Sequence, residues 1–386
     1  MTPGPDPIDI TVPALRAEGH GAVSERYTAE LWVHGNTAYT TTWGTRTVNG
    51  VQALGNAIKI WNVSGITPVL IDSVIVTGIS TLGDIQATSD GRYLVVSTEP
   101  TGSLVIYDIQ NPIAPSLVIR YTSPSIGNGV HTAYVETVAG RRYAFLSVDA
   151  RATRSRLVII DITTPASPVE VFSQEIGNPV IHDVFVRDGI LMAALWNDGM
   201  TIFDIGGGGK GGSPSNPVSI GNVRTVGGKA HNIHWFHDPV TGSKRYAFVG
   251  EEGPGGVGGS SVGDLHVVDV SDMSNPREVA FLSIAGAGAH NVSADEQSGI
   301  LYAAFYNGGV RAINARGDLS ACTASQKSPD GRCDLIKMNR MIGQALLDVG
   351  RSVFAWGVQF TGGRLYASDM INGLWRISPA AAPSAP

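Results

Sequence analysis

The sequence has 386 residues, 48 of them glycine and 21 proline, with 16% charged residues and a formal net charge of −6. This acidic balance, with no run of Lys or Arg, excludes a nucleic-acid footprint. No apolar stretch reaches the roughly 20 residues that span a bilayer, and the Gly- and Pro-rich background with short Val, Ile and Thr runs points to many short strands rather than helices.

In chain order, residues 1–21 lack the charged and apolar regions of a secretory leader and read as the lead of a mature domain. One pattern then recurs: an apolar run, an Asp or Asn, and a proline followed by a second apolar run. It occurs as IKIWNVSGITPVLIDSV (58–74), LVIYDIQNPIAPSLVI (104–119) and LVIIDITTPASPVEVF (157–172). It returns as MTIFDI (200–205), LHVVDVSDMSNPREVAFL (265–282), VRAINARGD (310–318) and LWRISP (374–379). Each run is too short for a core helix and rich in β-branched residues, so each is expected to be a strand. A hairpin precedes each run, with Gly-containing turns such as SDG, RDG and TGG. Strands A and B of the hairpin, then C, then D after the proline make a four-stranded antiparallel unit of about 50 residues, which is a propeller blade.

The expected fold is therefore all-β: a seven-bladed β-propeller of four-stranded antiparallel blades over residues 28–380, with 381–386 a disordered tail. The last unit stops at strand C near Ser378. The lead, residues 1–27, is expected to contribute the missing outer strand and close the ring, through residues 8–12 or ones close to them.

The strand-C runs LVIID (157–161) and HVVDV (266–270) resemble the LVIVD-repeat propeller family, and the likeness covers nearly the whole chain. The resemblance implies a surface or secreted propeller and assigns no activity. Cys322 and Cys333, the only two cysteines, bracket a polar loop and are expected to form a local disulfide. That favours a secreted, periplasmic or cell-surface location.

Stacking the seven strand-A beginnings gives Ala29-Glu30-Leu31, Gly83-Asp84-Ile85, His131-Thr132-Ala133, His182-Asp183-Val184, His231-Asn232-Ile233, His290-Asn291-Val292 and Trp356-Gly357-Val358. Four consecutive blades carry histidine at one equivalent position. Strand A lines the axis, so His131, His182, His231 and His290 are expected to converge at the channel mouth. At a matching offset, strand B ends on Glu99, Asp149, Asp198 and Glu252. This register predicts that Asp149 orients His131, Asp198 orients His182 and Glu252 orients His231, as carboxylates orient metal-bound imidazoles. Trp43, Trp196, Tyr306 and Met370 are expected nearby as a substrate wall. Arg151, Arg154 and Arg156 lie on the way into strand C, and the glycine-rich insertion at 253–263 lies on the same face. His20, His34, His234, His237 and His266 fall outside this register.

Imidazoles favour a transition metal, Fe, Cu or Zn, over Mg or Ca. An all-histidine site on a seven-bladed propeller is similar in architecture to carotenoid-cleaving oxygenases and selenium-binding-type methanethiol oxidases, without their other motifs. The expectation is a metal-dependent enzyme acting on an extracellular small molecule or glycan, with oxidation ahead of metal-assisted elimination or hydrolysis. Tyr306 and Asp198 are the candidate catalytic acid/base residues, and whether the fourth histidine ligates or serves as a base stays open. The competing class is a non-catalytic scaffold that binds a partner across its top face.

Overall fold

The structure, a computed structural model, describes residues 12–148, 155–253, 261–348 and 350–383. Seven blade sheets, each with four antiparallel strands, follow one another around an axis. The first six blades begin with inner strands A at Tyr27–His34, Thr81–Ala87, Thr132–Val138, Asp183–Arg187, Ala230–Phe236 and Val292–Asp295. Blade seven combines Ala355–Thr361, Arg364–Asp369 and Gly373–Ile377 with the N-terminal strand Ala17–Ala22. A single turn of 3₁₀ helix, Ala324–Gln326, is the only helix among the described residues. No helix there is long and apolar enough to cross a membrane.

Each recurring apolar run is strand C of its blade: Ala57–Asn62, Ser103–Asp108, Arg156–Asp161, Met200–Asp204, Leu265–Asp269, Val310–Asn314 and Gly373–Ile377. Their side chains fill the space between neighbouring blades. Leu104 and Ile106 of blade two, for example, pack with Val135, Ala144 and Leu146 of blade three. The acidic end of the motif has its own task. Asp108, Asp161 and Asp269 each accept a backbone N–H two residues on, from Gln110, Thr163 and Ser271, which starts the turn into strand D. Their second oxygens hold Arg92, Arg141 and Arg245 from the A–B hairpin. The motif therefore encodes a strand and the latch that ends it.

The ring closes through Ala17–Ala22, which pairs with Gly373–Ile377 from Ala22↔Gly373 to Ala17↔Ile377. The lead thus supplies the closing strand, at Ala17–Ala22. Val12 lies outside every strand, and residues 8–11 lie outside the described residues. The closing strand runs Ala-Glu-Gly-His-Gly-Ala because it slides against blade one. A Cβ on Gly19 would stand 2.3 Å from the Ile66 carbonyl oxygen, and one on Gly21 would stand 2.5 Å from the Trp61 ring. His20 stacks on Trp375 at 4.0 Å, which fixes the strand from its other face.

Cys322 and Cys333 form a disulfide. It closes the loop whose Cys333–Asp334 strand adds in parallel to the outer strand Arg277–Leu282 of blade five.

Candidate metal centre

The four histidines share a register because each sits at the point where strand A meets the end of strand B. The backbone N–H of His131 donates to Ser147, that of His182 to Ala194 and that of His290 to Ala304, all at 2.8–2.9 Å. His231 occupies the bulge between Ala230 and Asn232. The imidazoles form a continuous arc. Ring centroids are 4.4 Å apart for His131 and His182, 3.9 Å for His182 and His231, and 4.0 Å for His231 and His290.

The arc stops at blade two for a steric reason. Gly83 holds the equivalent position there, and a Cβ on it would lie 1.9 Å from the carbonyl oxygen of His131. Blade one has Ala29 and blade seven Trp356. Between these walls runs a narrow cavity lined by the four histidines, Trp43, Trp356 and the carboxylates Glu30, Asp84 and Asp183.

Two of the histidines have their tautomer set by a partner. Nδ1 of His131 is 2.6 Å from Oε1 of Glu99, and Nδ1 of His290 is 2.8 Å from the Trp356 carbonyl oxygen. In the neutral ring each Nδ1–H donates there, which leaves Nε2 as a bare lone pair. Nε2 of His131 lies 3.0 Å from Nε2 of His182. Oε2 of Glu252 stands 4.0 Å from Nε2 of His182 and 3.9 Å from Nε2 of His231. Tyr306 donates its hydroxyl to the other oxygen of Glu252 at 2.6 Å.

Burial dominates the electrostatics. It pulls His182 and His231 well below the usual imidazole range, with neighbouring imidazoles adding to the effect, and takes His290 down to about 3. The same burial raises Glu252 and holds Tyr306 well above the usual phenol range. Two neutral imidazoles, His182 and His231, therefore face the Glu252 carboxylate, in the protonation state in which imidazole ligates.

This donor set fits a transition ion. His182, His231 and Glu252 each offer one ligand atom, all within 4.8 Å of one another. A tetrahedral ion with bonds of about 2.0–2.1 Å to nitrogen separates its donors by roughly 3.3 Å; Glu252 stands 4.0 and 3.9 Å from His182 and His231, so the three donors would draw slightly inward on an ion. Two histidines and one carboxylate with further positions open is the facial-triad pattern. His131 and His290 flank it.

The expected histidine cluster thus comes together, but its carboxylates are arranged differently. Asp198 does not orient His182. The turn between strands B and C of blade four (Leu195 N–H to the Gly199 carbonyl, 2.7 Å) carries Asp198 outward to Arg224 and Asn178. Its side chain is 34% exposed, and among the described residues its carboxylate bonds run to Arg224 and Asn178 rather than to the arc. Glu252 lies on the Nε2 side of His182 and His231, where it is a ligand candidate rather than an orienting group. Asp149, Arg151 and Arg154 lie outside the described residues, as do 254–260 of the glycine-rich insertion. Arg156 bonds to Glu175 and Ser173.

Trp196 stacks on His182 at 5.4 Å, and Trp43 packs against Trp356 at 5.9 Å, so both stand beside the arc. Tyr306 is fully buried and so forms no substrate wall; its ring packs on His290, and its hydroxyl serves Glu252. Met370 packs with it in the same small cluster.

Two features escaped the sequence reasoning. Glu99, the strand-B end of blade two, serves His131 of blade three, so the carboxylate comes from the neighbouring blade. One residue along from the arc lies an acidic tier. Glu30 accepts from Trp356 and Asn291 at 2.6 Å each, Asp183 accepts from Asn232 at 2.6 Å, and Asp84 accepts from the Ala133 backbone at 3.1 Å. These bonds latch adjacent blades. Burial raises all three acids, Glu30 to about 7 and Asp183 to about 6. Both signals were present in the stacked registers, at the strand-B end and at the second strand-A position.

No curated protein matches the chain. Solved structures share its fold. The U3-55K structure has TM-score 0.61 at 12% identity, covering 96% of this chain and 99% of that one. The RRP9 WD40 repeats have TM-score 0.63 at 12% identity, covering 97% and 100%. Sqt1 of Saccharomyces cerevisiae has TM-score 0.55 at 10% identity, covering 93% and 83%. At such identities the likeness is one of fold alone. The LVIVD repeat matches residues 91–123, 152–175 and 259–281. These repeats, set on seven four-stranded blades, are consistent with the LVIVD-repeat β-propeller family.

Proposed function

We propose that the chain is a metal-dependent enzyme of the extracytoplasmic space, acting at the channel mouth on a small molecule or glycan. The observation that carries this reading is the convergence of Nε2 of His182, Nε2 of His231 and Oε2 of Glu252 in a site whose imidazoles stay neutral. His131 and His290 complete the donor arc. The disulfide suits an oxidising compartment.

A metal bound there supplies Lewis-acid or redox chemistry, with oxidation favoured because two histidines and a carboxylate leave positions open. The protein's own groups do the rest. Tyr306 fixes which oxygen of Glu252 faces the imidazoles. Glu99 holds the His131 proton on Nδ1. Trp196 covers one flank of His182 and keeps water from it.

The test is metal analysis of protein prepared without chelator, alongside a His182→Ala, His231→Ala double variant. The reading expects one metal per chain, lost in the variant. A metal-free wild type that takes up neither Fe, Cu nor Zn overturns it. The direct 3.0 Å contact between His131 and His182 favours a second reading, in which the arc is a hydrogen-bonded structural element of a binding scaffold. That reading expects no metal and a large loss of stability in the double variant.

A further inference from the structure

His266 lies outside the histidine arc, in strand C of blade five, with its side chain fully buried. Both ring nitrogens face carboxylates: Nδ1 is 2.7 Å from Oε1 of Glu278, and Nε2 is 3.1 Å from Oε2 of Glu251. The carboxylates are themselves nearly inaccessible, at 6% and 4%. An imidazole that serves two carboxylates must donate from both nitrogens, so it carries a charge. Arg332 reaches the same oxygen of Glu278 and also pairs with Asp330 at 2.8 Å. Inside the blade, two carboxylates and two cations balance. Burial alone pulls His266 down, but the bonds to Glu251 and Glu278 outweigh it and raise the group to about 9.

Each carboxylate also grips backbone that leads into the proposed metal site. The second oxygen of Glu278 accepts the Val226 N–H at 2.8 Å, in the loop that runs into Ala230 and His231. Gly227 of that loop rests on Glu251, where a Cβ would lie 2.4 Å from Oε1. Glu251 is the last residue of strand B, and the next residue is Glu252. Its backbone N–H donates to the Asp264 carbonyl at 2.9 Å, while the Glu252 N–H reaches back to Lys229 at 3.2 Å.

Resting on the metal reading above, we propose that His266, clamped between Glu251 and Glu278, is a positioning residue that locks the two segments presenting His231 and Glu252 to the metal. It touches neither the metal position nor the channel. Removing it releases loop 225–229 and the end of strand B together, because one side chain holds both anchors.

The experiment compares wild type with His266→Gln, which keeps polar contact with one carboxylate and loses the bridge. Amide hydrogen exchange is measured on chelator-treated protein, and Zn²⁺ is then titrated by calorimetry. The variant is expected to exchange faster at 225–231 and 250–253 while other blades keep their protection, and to bind Zn²⁺ 10- to 100-fold more weakly. Glu278→Gln cuts the Val226 arm and weakens the hold on His266 and Arg332 while the Glu251 contact stays; it is expected to loosen 225–231 and leave 250–253 protected, which keeps the test open if His266→Gln fails to fold. Unchanged exchange in both segments overturns the positioning role, whatever the metal result. Wild type that takes up no Zn²⁺, with the exchange change intact, overturns the metal reading and leaves His266 as a lock on these two segments.

Discussion

The hydroxyl of Tyr306 donates to Oε1 of Glu252 at 2.6 Å, so the opposite oxygen is the one presented to His182 and His231. Tyr306→Phe keeps the buried ring and removes this single bond. Glu252 then has a buried oxygen without a donor, a loss of roughly 1–3 kcal/mol. The carboxylate is also free to rotate. Zn²⁺ affinity is expected to fall about tenfold, in the range seen when outer-shell partners are removed. Calorimetric titration with a parallel thermal melt checks both effects, and unchanged affinity would remove Glu252 from the ligand set.

Glu99 fixes the tautomer of His131 from a neighbouring blade. Glu99→Gln keeps the side-chain length but replaces a charged acceptor with an amide, which weakens the Nδ1–H bond. The proton then redistributes between the two ring nitrogens, and Nε2 becomes a poorer donor. The expected result is weaker metal binding with little change in melting temperature. Nitrogen-15 chemical shifts of the His131 ring read the tautomer directly; a ring that stays protonated on Nδ1 in the variant rules this account out.

Much of this was legible in the sequence because repetition is legible. Seven strand-C runs of similar length and β-branched content announce the blades, and four histidines in one stacked position announce a shared height on the axis. The closing strand was expected in the lead, but its exact position was hidden because Gly19 and Gly21 are selected for close approach to Ile66 and Trp61, which leaves no apolar alternation. The carboxylate partners were misassigned for another reason. Whether a strand-B end leans toward its own strand A or the next blade depends on the turn that follows. The turn after Ala194 throws Asp198 outward, whereas Glu99 reaches across to blade three. The acidic tier sat one residue beyond the histidines, at a position that was stacked but not interpreted.

Glu30 gives that tier a measurable pH signature. Burial holds its carboxyl at about 7 in the fold, against 4.5 as the ordinary value. Between these values the unfolded chain has lost the proton and the native chain keeps it, so the group costs stability as pH rises from 4.5 to 7 and the cost levels off above. Glu30→Gln has no such titration. Its stability relative to wild type is therefore expected to improve between pH 4.5 and 7, by roughly 1–3 kcal/mol. Denaturant melts of both proteins at pH 5 and pH 8 check this, and a difference independent of pH would mean that Glu30 is ionised throughout.

The disulfide offers a way to separate chain entropy from local anchoring. Cys322 and Cys333 stand 11 residues apart, and a loop of that size contributes about 3 kcal/mol on the chain-entropy account. Arg332 precedes Cys333 and holds Glu278, which in turn holds His266 and Val226. If the bridge acts only on the unfolded chain, a Cys322→Ser, Cys333→Ser variant melts earlier but binds Zn²⁺ as wild type does below its melting transition. If the bridge also keeps Arg332 on Glu278, the folded variant loses affinity as well, and amides at 225–231 exchange faster. The second outcome is expected, because strand Cys333–Asp334 pairs with blade five over just two positions, Ala280 and Phe281. So short an edge strand has little to hold it once the covalent link is gone.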